Sequence, residues 1–187
     1  MGRIVVTEFV SLDGVMEDPG GAEDYKYGGW TFEIERGEEG NRFKLDETTA
    51  SEALLLGRRT YEGFAEAWPK REGEFADKFN EMPKYVVSST LGEPEWQNTT
   101  VLSGDLAEEV NQIRESTDGD VVVHGSAQLV QGLIERDLVD ELRLMVFPVI
   151  LGRGKRLLGE TSDKKALQLK DSQSVGDGVA ILTYERA

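Results

Sequence analysis

The chain contains no cysteine and a single histidine, His124. Without cysteine there can be no disulfide, no thiolate metal site and no thiol nucleophile. One histidine excludes a multi-histidine metal centre and leaves a Ser-His-Asp triad only one candidate base. No metal site is therefore expected, and hydrolysis is the least favoured chemistry. Long apolar runs are also missing: none approaches the ~20 residues that a membrane-spanning helix needs. The opening Met1-Gly2-Arg3-Ile4-Val5-Val6 lacks the apolar core of a signal peptide. The expectation is a cytoplasmic protein. Basic residues are scarce, 21 against 36 acidic, for a net charge of −15. A field of that sign repels nucleic acid and anionic membrane, so neither is an expected partner. The acidity suits either a well-solvated surface or a high-salt cytoplasm in which screening relieves self-repulsion. A melting series in rising KCl separates the two, since only the second requires stability to increase with salt.

What is present is enough for one core. Hydrophobic residues make up 39% of the 187 positions, and no linker or repeat divides the chain, so residues 1–187 are read as one domain. The pattern alternates between strand and helix. Residues 3–10 are apolar and β-branched, a first strand. Residues 11–30, rich in Gly, Asp and Pro, form a loop long enough to suggest function. A polar-faced helix over 38–51 precedes a short buried strand at 53–56. A helix over 58–68 follows, stopped by Pro69. Strands are read at 84–87 and 99–102, a helix at 106–114 with Asp105 or Ser103 as its cap, a strand of consecutive valines at 120–124 and a helix at 126–136. The strand pattern at 141–150 and a hairpin about Gly176-Asp177-Gly178 close the chain. The fold class is α/β: a mostly parallel central sheet with antiparallel C-terminal strands.

Three strand ends share a design, each apolar and then abruptly small, hydroxylated or basic. They are Leu56-Gly57-Arg58-Arg59-Thr60, Val87-Ser88-Ser89-Thr90 and Val123-His124-Gly125-Ser126-Ala127. Ligands of open parallel sheets bind beyond such ends. Helix N-termini there offer free N–H groups to phosphate, and arginine adds planar charged donors. Taken singly, Gly57 also suits an ordinary turn, Ser126 an ordinary cap and the arginines a solvated surface. There is no G-x-G-x-x-G after the first strand and no phosphate-binding P-loop.

Asp13, in Ser11-Leu12-Asp13-Gly14, is either a turn residue or a catalytic carboxylate that orients a substrate or relays a proton. His124 is expected to be packed rather than a base. Trp30 and Tyr25 suit an aromatic wall for a planar substrate or packing under the loop. Asp46 and Glu47 sit on the helix before the second strand, where an acid facing a substrate, Asp46, or a solvated face would fit. Residues 147–154, with Pro148, Gly152 and Gly154, make a turn or a closing element for the cleft.

Together these segments resemble the dihydrofolate-reductase-like superfamily. Leu55 through Glu62 looks like the Gly-Arg-x-Thr junction that binds cofactor phosphates there. Tyr85 through Ser89 is similar to the strand whose serines flank the adenosine 2′-phosphate. Val121 through Ala127 stands where that family has its Gly-Gly turn, here Gly125-Ser126. Val10-Ser11-Leu12-Asp13-Gly14 and Pro148-Val149-Ile150-Leu151-Gly152 are closer to the C-terminal reductase domain of the riboflavin-biosynthesis deaminase-reductase and its stand-alone relatives. The resemblance implies a three-layer α/β/α fold and an NADPH-dependent reductase. Its substrate would be a small heterocycle, pteridine or riboflavin-precursor-like, or a carbonyl compound; reduction of 5-amino-6-(5-phosphoribosylamino)uracil or of a folate are the family activities. It implies cofactor contacts at Gly57, Arg58, Arg59, Thr60, Ser88, Ser89, Gly125, Ser126 and Ala127, Asp13 as the best substrate-side residue, and a homodimer; Trp30 and Asp46 are the further candidate substrate contacts from the residues themselves. The dihydrofolate reductase carboxylate has no clear counterpart, with Asn41 and Asp46 only nearby, and the zinc-binding deaminase half is missing. The alternative is a non-catalytic nucleotide- or flavin-binding protein on the same scaffold.

Overall fold

A computed structural model describes residues 1–187. Eight strands form one sheet in the order β4-β3-β2-β5-β1-β6-β8-β7. They are β1 (Arg3–Ser11), β2 (Ser51–Gly57), β3 (Lys84–Val87), β4 (Thr99–Leu102), β5 (Asp120–Val123), β6 (Glu141–Phe147), β7 (Leu167–Val175) and β8 (Val179–Arg186). The first six are mutually parallel; β8 adds antiparallel to β6, and β7 adds antiparallel to β8. The helices are α1 (Gly37–Ala50), α2 (Arg58–Ala67), α3 (Glu74–Glu81), α4 (Leu106–Ser116) and α5 (Ala127–Glu135).

Period-two alternation in the strands splits the core into two faces. Leu55, Val121 and Val123 pack with Val110, Ile113, Leu129 and Leu133 of α4 and α5. Leu54, Leu56 and Val86 pack on the other face with Tyr61 of α2 and Phe79 of α3. The result is three layers, as the alternating pattern predicts. The helix α3 was not expected from the sequence. Its Phe75 and Phe79 stand one turn apart and share a stacked contact at 4.7 Å between ring centroids, which is the i, i+4 signal of a helix. The expected strand 141–150 ends earlier, at Phe147, because Pro148 has no N–H for the ladder.

Strand order decides where a ligand can enter. After β2 the chain moves to β3, toward one edge; after β5 it moves to β6, toward the other. The adjacent pair β2 and β5 is therefore the point at which connections diverge, and crevices open at such points outside the carboxyl ends of the strands.

Candidate active site

At this divergence the two strand ends interlock. Gly57 N–H donates to Ser126 Oγ at 2.9 Å, and Ser126 N–H donates to Thr60 Oγ1 at 2.9 Å. Gly125 and Ser126 both hold left-handed backbone, at φ 58° and 60°. A side chain at Gly125 would place its Cβ 2.9 Å from Thr60 Oγ1, so both conformation and space favour glycine there. The structure thus brings Gly57, Thr60, Gly125, Ser126 and Ala127 together.

These junctions start helices α2 and α5, and neither has a side-chain cap or an acidic residue in its first turn. The contrast with the other helices is informative in so acidic a chain. The first turns of α1, α3 and α4 all carry acidic residues, and α4 is capped by Asp105. Acids at an N-terminus neutralise its partial positive charge. The two helix ends at the divergence keep theirs, along with the free amides of the first turn.

The second expected segment joins them through Arg58, which donates to Glu62 Oε1 at 2.8 Å and to Thr90 Oγ1 at 2.6 Å. This ties the α2 terminus to the loop after β3. Ser88 accepts there from the N–H groups of Thr90 and Leu91, so its hydroxyl oxygen shapes the loop. Arg59 and Ser89 are exposed.

The expected substrate-side residues fall differently. Trp30 is only 2% exposed and lies in the core with Phe147, Val175 and Ile181. It makes an edge contact with Phe147 at 5.4 Å and donates Nε1–H to Glu17 O at 2.9 Å. It is a core residue under the loop, not the open aromatic wall. Asp46 is exposed on the outer side of α1, so the expected substrate contact at that position is not seen. The carboxylate turned inward is its neighbour Glu47, since one helical step is a 100° rotation. Glu47 accepts from Lys44 Nζ at 2.5 Å and Thr7 Oγ1 at 2.9 Å, and pairs with Arg143 at 3.3 Å. Burial opposes its ionisation, but Lys44 and Arg143 more than compensate and its pKa is lowered.

Asp13 is held by the chain's own donors. Ser11 Oγ–H donates to Oδ1 at 2.6 Å, and the N–H groups of Leu151 and Gly152 donate at 3.1 and 2.8 Å. The Ser11 hydroxyl, with those two amides, outweighs partial desolvation and lowers its pKa to about 2. Asp13 thereby fastens the segment after β6 beside the end of β1. His124 packs against Phe79 at 5.2 Å between ring centroids, and burial lowers its pKa to about 3, so it is neutral near pH 7.

Glu8, in β1, belongs to none of the segments that the sequence singles out. It is 6% exposed, with Oε2 accepting from Gly125 N–H at 3.0 Å. A glutamate inside an otherwise buried strand was the available signal. Two surface grooves lie elsewhere. One, beside α2 and residues 91–97, is lined by Glu62, Glu66, Glu93 and Glu95, a poor setting for phosphate. The other lies around the amino end of β6 and residues 158–167, at the opposite end of the sheet. No group of acidic, histidine or cysteine side chains is placed to hold a metal ion, and no helix is long and apolar enough to cross a membrane.

The fold defines an open α/β protein whose connections diverge between β2 and β5. Residues 3–181 match the family model of the RibD C-terminal domain, and the chain belongs to that family. Two curated relatives from Bacillus subtilis (strain 168), the uncharacterised proteins YyaP and YwjB, are each 27% identical. The alignments cover 97% of this chain and 94% of YyaP, and 95% of this chain and 94% of YwjB. Among solved structures, a Shewanella sp. PV-4 protein assigned to riboflavin biosynthesis superposes with a TM-score of 0.80 at 21% identity, over 99% of both chains. A pyrimidine reductase-like protein from Corynebacterium diphtheriae superposes with a TM-score of 0.65 at 11% identity, over 99% of this chain and 92% of its own. The dihydrofolate-reductase-like fold expected from the motifs is the fold observed.

Proposed function

We propose that this protein is a reductase that binds NADPH across the β2–β5 crevice and acts on a small heterocyclic or carbonyl substrate. Membership of the RibD C-terminal family supports an oxidoreductase. The observation that carries the cofactor assignment is the pair of uncapped, acid-free helix N-termini locked together by Gly57, Ser126 and Thr60. In a chain of net charge −15, these two helix starts carry no acidic residue in their own first turns, so an anion there meets their positive partial charge.

The residues present fit such a cofactor. Ala127 and the other first-turn amides of α2 and α5 would carry the pyrophosphate, while Gly57, Gly125 and Ser126, whose own N–H groups are held by Ser126 Oγ, Glu8 and Thr60, would shape the turn against which it lies. Arg58 and Arg59, with Ser88 and Ser89 beyond β3, would receive the adenosine 2′-phosphate. When bound, the dinucleotide supplies a hydride from its reduced ring. The chain's contribution is alignment of the two reactants and exclusion of water. Asp13 serves by holding Leu151 and Gly152 at the mouth of the crevice; with a pKa of about 2 it is a poor proton source at neutral pH.

Calorimetry of NADPH and NADH side by side, in low and high KCl, tests the reading. A clear preference for NADPH is expected. Binding of neither dinucleotide by folded protein refutes it. Tight binding with no turnover over pteridines, pyrimidine precursors and simple carbonyls would favour the non-catalytic alternative.

A further inference from the structure

The first acid of α2 comes one turn after the helix start: Arg58 opens the helix and Glu62 is its fifth residue. The two are joined. Arg58 Nε donates to Glu62 Oε1 at 2.8 Å, with the side chains 45% and 47% exposed, so solvent and ligands reach both. Arg58 Nη1 donates to Thr90 Oγ1 at 2.6 Å, and Nη2 makes no bond within the protein. Thr90 belongs to the loop that Ser88 shapes, where Ser88 Oγ accepts from the N–H groups of Thr90 and Leu91. Arg58 therefore stands between two settings of opposite character. On one side are the acid-free start of α2 and the Ser88-Ser89 loop. On the other is the groove beside α2 whose lining includes Glu62, Glu66, Glu93 and Glu95. Of these four acids Glu62 is the one that bonds Arg58; Glu66 pairs with Lys70 at 3.9 Å.

We propose that Glu62 is a specificity-determining residue of the cofactor site. By sharing Arg58 with the 2′-phosphate of a bound dinucleotide, its carboxylate limits how strongly the phosphorylated dinucleotide is preferred over the unphosphorylated one. The proposal rests on the reading that brings the 2′-phosphate to Arg58.

Arginine carries five N–H donors but a single positive charge. Glu62 takes one donor, Nε, and leaves Nη2 open, so it does not block the arginine. What it takes is charge. A phosphate arriving at Nη2 meets an arginine already partly neutralised, and a carboxylate on the same guanidinium repels it. At this exposure such interactions are modest, and salt screens them. A dinucleotide without the 2′-phosphate brings no charge to Arg58 and does not sense Glu62. The bonds that hold the crevice, among Gly57, Ser126 and Thr60, do not involve Glu62. Its effect therefore falls on the choice between dinucleotides and not on the pyrophosphate turn.

The test is the dissociation constants of NADPH and NADH, by calorimetry at low and at molar KCl, for the wild type, Glu62→Gln and Glu66→Gln, with thermal melts to verify folding. Glu62→Gln keeps an oxygen for Arg58 Nε and removes the charge. It should bind NADPH about threefold or more tighter than wild type at low salt, the scale of exposed charge interactions. NADH binding should stay close to wild type, and the gain for NADPH should fade at molar KCl. Glu66→Gln removes an equal charge from the same groove without touching Arg58, and should leave NADPH binding near wild type. If Glu62 serves only to orient Arg58, Glu62→Gln will bind NADPH no more tightly than wild type, and the proposal is overturned. Equal gains in the two variants, or for the two dinucleotides, would assign the effect to net charge and overturn it as well. If the wild type binds neither dinucleotide, the reductase reading falls and the role of Glu62 falls with it, a result that appears before any variant is made.

Discussion

Gly57 N–H and Ser126 Oγ meet at 2.9 Å across 69 residues of sequence, and this bond holds the starts of α2 and α5 side by side. Thr60 closes the arrangement from the third residue of α2 by accepting from Ser126 N–H. The two strand ends are thus fastened to each other by the fold itself.

Replacing Gly125 by Ala tests that preformed turn. The backbone is left-handed, and the new Cβ would lie 2.9 Å from Thr60 Oγ1. A cost of about 1–3 kcal/mol is expected for strain of this kind. Thermal denaturation should show a Tm lower by roughly 2–12 °C, at about 2–4 °C per kcal/mol for a chain this long. Dinucleotide affinity should fall more than tenfold. A variant with unchanged Tm and unchanged affinity would show that the turn is neither strained nor used.

The arginines report on cofactor choice. Arg58→Ala and Arg59→Ala should weaken NADPH about tenfold or more each, since a hydrogen bond to a charged group is worth roughly 1.5–3 kcal/mol. NADH, which lacks the 2′-phosphate, should lose much less. Equal losses for the two dinucleotides would assign the arginines to general attraction.

Acid titration tests Asp13. Its folded pKa, about 2, lies below the ordinary value of 3.8. The ionised form therefore stabilises the fold; this contribution is complete above about pH 5 and fades as pH falls through 4 toward 2. Asp13→Asn should be less stable than wild type at pH 7, and the difference in Tm should shrink steadily from pH 5 to pH 2. A constant difference over that range would mean that the carboxylate charge is not what holds Leu151 and Gly152.

Adjacent positions on α1 should respond very differently. Lys44→Met leaves the Glu47 carboxylate buried with Thr7 and only the more distant Arg143, and removing one partner of a buried pair costs about 3–5 kcal/mol. Asp46→Asn, on the exposed side, should stay within about 0.5 kcal/mol of wild type. Urea unfolding of both variants measures the contrast. Similar values would mean that the Lys44–Glu47 pair adds little to stability.

Much of the architecture could be read locally. Strand and helix limits came within a few residues where apolar periodicity was strong, as in β5 and α5, and the Gly176-Asp177-Gly178 hairpin joins β7 to β8 as its glycines predict. The phosphate-type segments were also legible, because each pairs an apolar strand with small or basic residues immediately after it. The helix α3 escaped notice because its eight residues include three acids among only two phenylalanines and an alanine.

Local pattern, then, was sufficient for the type of most elements and for the composition of the strand ends, since both depend on neighbours a few residues apart. It could not say which strand ends would adjoin. That Gly57 faces Ser126 follows from β5 pairing between β2 and β1, a matter of long-range contacts. Burial of Glu47 rather than Asp46 depends on how α1 is rotated against the sheet. The inward place of Trp30, and the use of both Asp13 oxygens by Leu151 and Gly152, depend on where a distant segment returns. Those relations arise only when hydrophobic faces pack and buried polar atoms must find partners, and they decided which of the candidate residues share one crevice.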